Sequence, residues 1–324
     1  MKHWIEAARV RTLPLSVSGI ILGCFYAMSQ TVFNWKIFFL AITTTLLLQI
    51  LSNFANDYGD GIKGTDNADR IGPKRAIQSG NITPQAMKRA MFITVILTMA
   101  SAIALIYFSF KEDYLVFSLF FLTLGALAVA SAIRYTVGNT AYGYRGYGDL
   151  FVFVFFGFVS TLGISFMYLK EVHPILILPA AAIGFLSVGV LNLNNMRDEA
   201  SDKKVGKNTI VVKIGGKKAK IYHYFLVITA MVLVLVFAIL FDYYEDSDPG
   251  ELNFDIYLFL VAYIPLITHL IRVSRNTEPR LLDPELKKLA LSTFFLSVLL
   301  SLGLIYFFSD IVVQIVNATI NHFN

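Results

Sequence analysis

The sequence is poor in charge and in cysteine. Only 15% of its 324 residues are charged, whereas 56% are hydrophobic. A soluble protein of this length needs a charged surface, so this balance excludes an ordinary soluble domain and indicates lipid as the solvent. The single cysteine, Cys24, excludes a disulfide framework within the chain, and we expect it to be a small packed side chain.

Long apolar stretches recur along the whole chain. A helix that crosses a bilayer needs ~20 mostly apolar residues, and nine stretches meet this requirement: 13–31, 36–55, 90–109, 114–133, 149–169, 174–196, 221–241, 255–272 and 289–308. The first lacks a signal-peptide cleavage site and leads directly into another span. A short apolar tail, 310–320, predicts a surface helix or a frayed end. The fold class is therefore all-α, a multi-pass transmembrane bundle of about nine helices in a single domain, 1–324.

Lys and Arg are distributed unevenly between the predicted loops. If the N-terminus lies inside, all but three of the 27 Lys and Arg residues fall on the inner side; the exceptions are Lys36, Lys111 and Lys170. The positive-inside rule then predicts a cell-membrane protein with a cytoplasmic N-terminus, an outer C-terminus and an acidic outer loop at 242–255. The net charge of +5 follows from this topology, so no nucleic-acid partner is expected. The predicted inner loops are 57–89, 134–148, 198–220 and 272–288.

Two of the inner loops begin with asparagine and aspartate, after the second and the sixth span. In a helix, residues three, four and seven positions apart share one face. This spacing defines a first cluster, Asn53, Asn56, Asp57 and Asp60. A second cluster repeats every four residues and consists of Asn194, Asp198 and Asp202, with Asn195 beside them. The correspondence predicts two pseudo-repeated halves around a central cavity that is open to the cytoplasmic side.

The composition of the two clusters predicts a metal and phosphate site. Four carboxylates in one cavity would repel each other unless cations joined them, and Mg²⁺ prefers such oxygen ligands together with substrate phosphates. Basic residues near the clusters, which with bound Mg²⁺ would clamp a diphosphate leaving group, are Arg11, Lys74, Arg75, Arg145 and Lys207. Two tyrosines, Tyr58 and Tyr142, are candidates for the aromatic faces that stabilise a carbocation.

The two clusters resemble the signature motifs of the UbiA superfamily of intramembrane aromatic prenyltransferases. NDYGD (56–60) is similar to the first motif and RDEASD (197–202) to the second. Within the superfamily, the stretches RTLPLSVSGIILG (11–23) and YGDLFVFVFFG (147–157) most resemble the 1,4-dihydroxy-2-naphthoate polyprenyltransferases of menaquinone synthesis. The resemblance covers the whole chain, including the layout of nine helices.

The resemblance implies roles for individual residues. Two Mg²⁺ ions on a polyprenyl diphosphate would be held by Asp57, Asp60, Asp198 and Asp202, with support from Asn53, Asn56, Asn194 and Asn195. The chain departs from the family pattern at two positions. Many relatives have an acid where this chain has Gly64, so Asp66 becomes a candidate ligand. Relatives also carry a YxxxK element, but here Gly146 lies four residues after Tyr142, and Arg145 is the expected substitute.

The expected reaction is transfer of the polyprenyl group to 1,4-dihydroxy-2-naphthoate, with loss of CO₂ and diphosphate, to give demethylmenaquinol. Other acceptors stay open at this stage, namely 4-hydroxybenzoate, homogentisate, haem or a glycerol phosphate. A cation-coupled transporter is a more distant alternative, since it would place its acids near the bilayer midplane. A CDP-alcohol phosphotransferase is disfavoured because its longer Asp-rich pattern is absent from the sequence.

Overall fold

The computed structural model describes residues 2–66, 71–111, 113–245 and 254–323, with the side chains of 245 and 306–323 excepted. Within these ranges the chain is helical and contains no strand. Apart from short 3₁₀ turns, the described helices are α1 (Lys2–Ala8), α2 (Leu13–Gln30), α3 (Trp35–Lys63), α4 (Pro84–Phe110), α5 (Leu115–Arg134), α6 (Gly148–Leu169), α7 (Ile177–Lys204), α8 (Ile210–Ile214), α9 (Gly216–Glu245), α10 (Tyr263–Arg275) and α11 (Leu282–Phe323).

The predicted bundle is confirmed. Among the described residues, nine helical segments are long and apolar enough to cross a membrane, and they coincide in order with the nine predicted stretches. The eighth begins as a 3₁₀ helix, Phe254–Ala262, and continues into α10. The duplication of the two halves and the side on which the cavity opens remain predictions.

The helices that carry the acidic clusters extend further than their apolar stretches. The first inner loop was predicted to begin at residue 57 and the second at 198, but α3 continues to Lys63 and α7 to Lys204. Both acidic clusters are therefore helical, as their spacing predicted, because the polar residues beyond each apolar stretch find partners inside the bundle. Gly64, with φ of +69°, ends α3 in the left-handed conformation that glycine adopts without strain.

The C-terminal end also differs from the prediction. Residues 310–320 form neither a separate surface helix nor a frayed end, because α11 runs without interruption for 42 residues from Leu282 to Phe323. The central part of the predicted acidic outer loop, 246–253, lies outside the described residues.

A change of helical pitch brings α6 close to α7. Residues Phe153–Val159 form a π-helical segment within α6, and such segments are frequent at functional sites. Gly157 lies in this segment, where a Cβ atom would be 2.6 Å from the carbonyl oxygen of Ala180 on α7. Only a glycine permits this approach, which leaves Phe155 and Phe156 on the wall of the central cavity.

Candidate active site

A cavity of about 940 Å³ runs through the bundle. Most of its wall is apolar and comes from α2 to α6, as in Ile20, Ala41, Leu105, Phe121, Ile164 and Met167. Its polar end is lined by Arg9, Arg11, Asn53, Asn56, Asp57, Asp60, Lys74, Arg75, Asn194, Arg197 and Lys207. This division suits a ligand with one highly charged end and a long apolar remainder.

The first cluster spans two helical turns of α3, and its members have different partners. The Asn53 side-chain amide donates to the carbonyl of Ala8 at 2.9 Å, which holds the end of α1 against the site. The two carboxylate oxygens of Asp57 accept the backbone N–H groups of Ala76 at 3.0 Å and Ile77 at 3.2 Å. Asp57 is therefore engaged in holding the loop after α3, and Asp60 is the acid that faces the second cluster.

The second cluster is organised by Arg197, which is 2% exposed. Its guanidinium donates from Nε and Nη2 to the two carboxylate oxygens of Asp198, at 2.9 and 2.7 Å. Nη2 also donates to Oδ1 of Asn194 at 2.8 Å, and Nη1 donates to Asp283 on α11 at 2.5 Å. A bidentate pair of this kind fixes both position and orientation of the carboxylate.

Lys207 lies between the two clusters. Its ammonium nitrogen is 4.0 Å from a carboxylate oxygen of Asp60 on α3 and 3.7 Å from one of Asp202 on α7. Burial by itself lowers the pKa of the Lys207 ammonium, but the nearby carboxylates of Asp60 and Asp202 outweigh burial and raise that pKa. The polar end of the cavity thus has an ammonium group between two acids that are far apart in sequence.

Three further basic residues surround the polar end. Arg75 lies on the cavity wall with its Nε 3.8 Å from a carboxylate oxygen of Asp66. Arg11 is 3.5 Å from the second oxygen of Asp283. Lys74 is exposed and also lines the cavity.

Tyr142 lies on the wall beside the π-helical segment. Its hydroxyl donates to the carbonyl of Ser131 at 2.9 Å, and its ring stacks on Phe151 with centroids 4.0 Å apart. The neighbouring Tyr144 donates to Asp60 at 2.7 Å. The loop between α5 and α6 therefore contributes an aromatic wall as well as a direct bond to an acidic residue.

Several predicted site residues are not on the cavity wall. Tyr58 packs against the apolar cluster around Leu51, because one residue after Asp57 the helix has already turned away from the site. Arg145 is exposed, and the 3₁₀ turn directs Tyr144 towards Asp60 in its place. Asn195 is buried within the bundle, and Asp66, Asp198 and Asp202 lie behind the wall, where they contact Arg75, Arg197 and Lys207 respectively.

The pattern of the UbiA prenyltransferase family matches residues 16–246. The chain belongs to the UbiA prenyltransferase family. It is 42% identical over 301 residues to the 1,4-dihydroxy-2-naphthoate octaprenyltransferase of Escherichia coli, covering 93% of this chain and 94% of that protein. It is 38% identical over 308 residues to the enzyme of the same name from Haemophilus influenzae, covering 94% and 96%.

Solved structures show the same fold. A UbiA homolog from Archaeoglobus fulgidus bound to DMAPP and Mg²⁺ superimposes with a TM-score of 0.58 at 16% identity, covering 92% of this chain and 99% of that one. A digeranylgeranylglyceryl phosphate synthase superimposes with a TM-score of 0.55 at 20% identity, covering 94% and 98%. With its nine apolar helical segments among the described residues, this member of the UbiA family is a multi-pass membrane protein.

The acids of this UbiA family member fit a divalent cation that is completed by substrate. Among the described residues, no three Asp, Glu, His or Cys side chains are close enough to form a metal cage. Mg²⁺ does not need one, since it usually takes one or two carboxylates together with phosphate oxygens and water. The Lys207 ammonium within 4.0 Å of both Asp60 and Asp202 shows that the space between these acids accommodates positive charge.

Sequence reasoning missed two residues that organise the site. Arg197 lies in the RDEASD motif. Charge and spacing alone do not distinguish it from any other basic residue at the end of a membrane helix. Its burial among three acceptors depends on α11, which is distant in sequence. Tyr144 was passed over in favour of Arg145 because the alternation of Tyr, Gly and Arg in the loop does not show which side chain turns inward.

Proposed function

We propose that this protein transfers a polyprenyl group from polyprenyl diphosphate to 1,4-dihydroxy-2-naphthoate, with loss of CO₂ and diphosphate, giving demethylmenaquinol. The observation that carries the proposal is the position of Lys207 between Asp60 and Asp202 at the charged end of a long apolar cavity. The two relatives described above have this acceptor in their names and match nearly the full chain. Bound Mg²⁺, which we take to be two ions, would offset the charge of the diphosphate.

The diphosphate binds at the polar end. Lys207, Lys74 and Arg75 supply positive charge from the two loops that follow the acidic clusters, and Arg11 supplies it from the 3₁₀ turn just before α2. When the allylic C–O bond breaks, the electron pair leaves with the diphosphate. The basic side chains stabilise that growing negative charge because they are already in place before the bond breaks. Asp60 and Asp202 would be the carboxylates that hold the metal, with Asn56 on the same wall.

The remainder of the cavity protects the allylic cation. Phe151, Phe155 and Phe156 line the wall next to Tyr142 and exclude water, which would otherwise capture the cation. The ring carbon that bears the carboxylate, made electron-rich by the neighbouring hydroxyl group, forms the new carbon–carbon bond. The acceptor carboxylate then departs as CO₂, and its bonding electrons restore the aromatic ring.

The same proposal includes the orientation of the protein. The N-terminus and the polar end of the cavity face the cytoplasm, and the polyprenyl tail leaves the apolar part sideways between helices into the bilayer. The positive-inside distribution of Lys and Arg supports this orientation. Internal duplication is supported by the matching positions of the acidic clusters at the ends of α3 and α7.

A transfer assay tests the function. Membranes containing the protein are incubated with Mg²⁺, radiolabelled octaprenyl diphosphate and, in turn, 1,4-dihydroxy-2-naphthoate, 4-hydroxybenzoate and homogentisate. Carboxyl-labelled dihydroxynaphthoate reports CO₂ release. We expect lipid-soluble product and an equal amount of CO₂ with dihydroxynaphthoate alone, and neither without Mg²⁺. Transfer to a different acceptor in preference to dihydroxynaphthoate would overturn the assigned substrate, and transfer to none would overturn the function.

A further inference from the structure

Tyr144 occupies the point where the first acidic cluster meets the loops. Its hydroxyl donates to Oδ1 of Asp60 at 2.7 Å and lies 2.5 Å from the hydroxyl of Thr65. Because the single proton of Tyr144 goes to Asp60, Thr65 is the donor in the second bond. The result is a one-directional chain from Thr65 through Tyr144 to Asp60, which fixes one carboxylate oxygen and leaves the other towards Lys207.

The ring of Tyr144 contacts two ammonium groups. Lys63 Nζ is 4.2 Å from the ring centroid, and Lys207 Nζ is 5.5 Å from it. Lys63 is itself held by donation to the carbonyl of Thr136 at 2.6 Å. Both distances lie within the range of cation–π attraction. The same side chain therefore restrains Asp60 through its hydroxyl and Lys207 through its ring.

The backbone next to Tyr144 is bound to the segment that carries Lys207. The N–H of Asn208 donates to the carbonyl of Tyr144 at 3.0 Å, and Lys213 Nζ donates to the carbonyl of Arg145 at 2.6 Å. Three segments thus meet at this residue: the end of α3, the loop between α5 and α6, and the chain between α7 and α9. The end of α3 contributes Asp60, and the chain between α7 and α9 contributes Lys207. The site is formed between these two charged residues.

Tyr144 does not line the cavity. We propose that it is a positioning residue, which holds Asp60 and Lys207 at the geometry that binds a divalent cation and a diphosphate, without touching the substrate itself. This inference rests on the proposed function, since it assumes that Asp60 and Lys207 serve a metal–diphosphate site. Outer residues that orient metal ligands typically change metal affinity or activity by about 10–100-fold when they are mutated.

A metal-binding measurement without turnover tests this role. The purified full-length protein in detergent is titrated with Mn²⁺ in the presence of inorganic pyrophosphate, and free Mn²⁺ is followed by electron paramagnetic resonance. We expect Tyr144→Phe, which keeps the ring and removes only the hydroxyl, to weaken Mn²⁺ binding by about 10-fold or more. Tyr144→Leu also removes the ring contact with Lys207 and should weaken binding further.

Tyr147→Phe is the matched control. Tyr147 lies in the same loop, its side chain is 56% exposed, and it is not among the cavity-lining residues. This variant should bind Mn²⁺ like the parent protein. Thermal unfolding of all three variants in detergent separates a local effect from misfolding, and we expect the midpoint of Tyr144→Phe to stay close to that of the parent.

Two results would overturn the inference. One is unchanged Mn²⁺ binding by Tyr144→Phe in a parent protein that does transfer prenyl groups, which leaves the proposed function intact. The other is a parent that binds no Mn²⁺ with pyrophosphate, which removes the metal–diphosphate site and with it the basis of both proposals.

In the transfer assay, Tyr144→Phe should raise the Mg²⁺ concentration for half-maximal activity, while kcat at saturating Mg²⁺ falls much less.

Discussion

The two acidic clusters have similar spacing, but their aspartates are restrained in different ways. In the first, Asp57 accepts two backbone N–H groups from the loop that follows, and Asp60 faces Lys207. In the second, Asp198 is paired with Arg197, and Asp202, one turn later, faces the same Lys207. In each cluster, therefore, one aspartate is held by a nearby loop or arginine, and we call it the internal aspartate; these are Asp57 and Asp198. The other, Asp60 or Asp202, faces Lys207.

The partners of the two internal aspartates explain what each one stabilises. Asp57 is bonded to backbone N–H groups, which carry no net charge, and through them it orders the segment around Ala76. Arg197 neutralises Asp198 and also bonds Asp283, so that pair joins α7 to α11. The first cluster is thus coupled to a loop that borders the polar end of the cavity, and the second is coupled to the packing of two transmembrane helices.

The largest expected effect separates the lysine-facing aspartates from the internal ones. Asp60→Asn and Asp202→Asn should each lower kcat/KM for prenyl transfer by more than about 100-fold, because changes to outer residues alone cost about 10–100-fold at metal sites. Asp198→Asn and Asp57→Asn should cost less. Initial rates in membranes at saturating acceptor measure this order. If Asp57→Asn were as damaging as Asp60→Asn, the distinction between the two kinds of aspartate would be lost.

The next effect concerns stability rather than catalysis. Arg197→Met removes the two bonds that the guanidinium donates to the buried carboxylate of Asp198, and breaking a buried ion pair in this way costs about 3–5 kcal/mol. We expect a clear fall in the thermal unfolding midpoint of the protein in detergent. The double variant Arg197→Met/Asp198→Asn is the control, since removing the carboxylate charge together with the guanidinium should recover much of the loss. A single variant as stable as the parent would contradict the assigned role of Arg197.

The smallest effect is local to the first cluster. Asp57→Asn replaces a charged acceptor of two N–H groups by an amide with only one acceptor oxygen, at a cost of about 1–3 kcal/mol. The amides of Ala76 and Ile77 should then exchange hydrogen faster, while amides in the middle of α4 serve as the internal reference. Unchanged exchange at both positions would mean that Asp57 does not hold this loop.

The sequence predicted the parts of the fold that depend on the membrane as solvent. The nine apolar stretches match nine helical segments because backbone groups in lipid must bond within the segment, which leaves few alternatives to a helix. Helix ends were less predictable. Hydropathy falls after residue 55, whereas α3 continues to Lys63 because Asn53, Asp57 and Asp60 all have partners inside the bundle.

Helical spacing predicted that the acids of each cluster share a face, and in the structure Lys207 lies within 4.0 Å of one acid from each cluster. Spacing did not show that Arg197 is bonded to Asp283 or that Tyr144 is bonded to Asp60, since each contact joins segments more than 80 residues apart. The exposed position of Arg145 has the same origin, because the direction of each side chain in that turn is set by α3 and by the segment around Asn208.

By itself, then, the sequence determined that this is a helical membrane protein of the UbiA family with two acidic clusters and basic residues close to them. Hydropathy, charge distribution and the motif letters are local properties, so one chain is enough to establish them. Only the tertiary structure decided which aspartate of each cluster is bound internally and which faces Lys207. That choice depends on partners brought together by the packing of α3, α7 and α11, where a buried carboxylate needs a donor or a cation to offset the loss of its hydration.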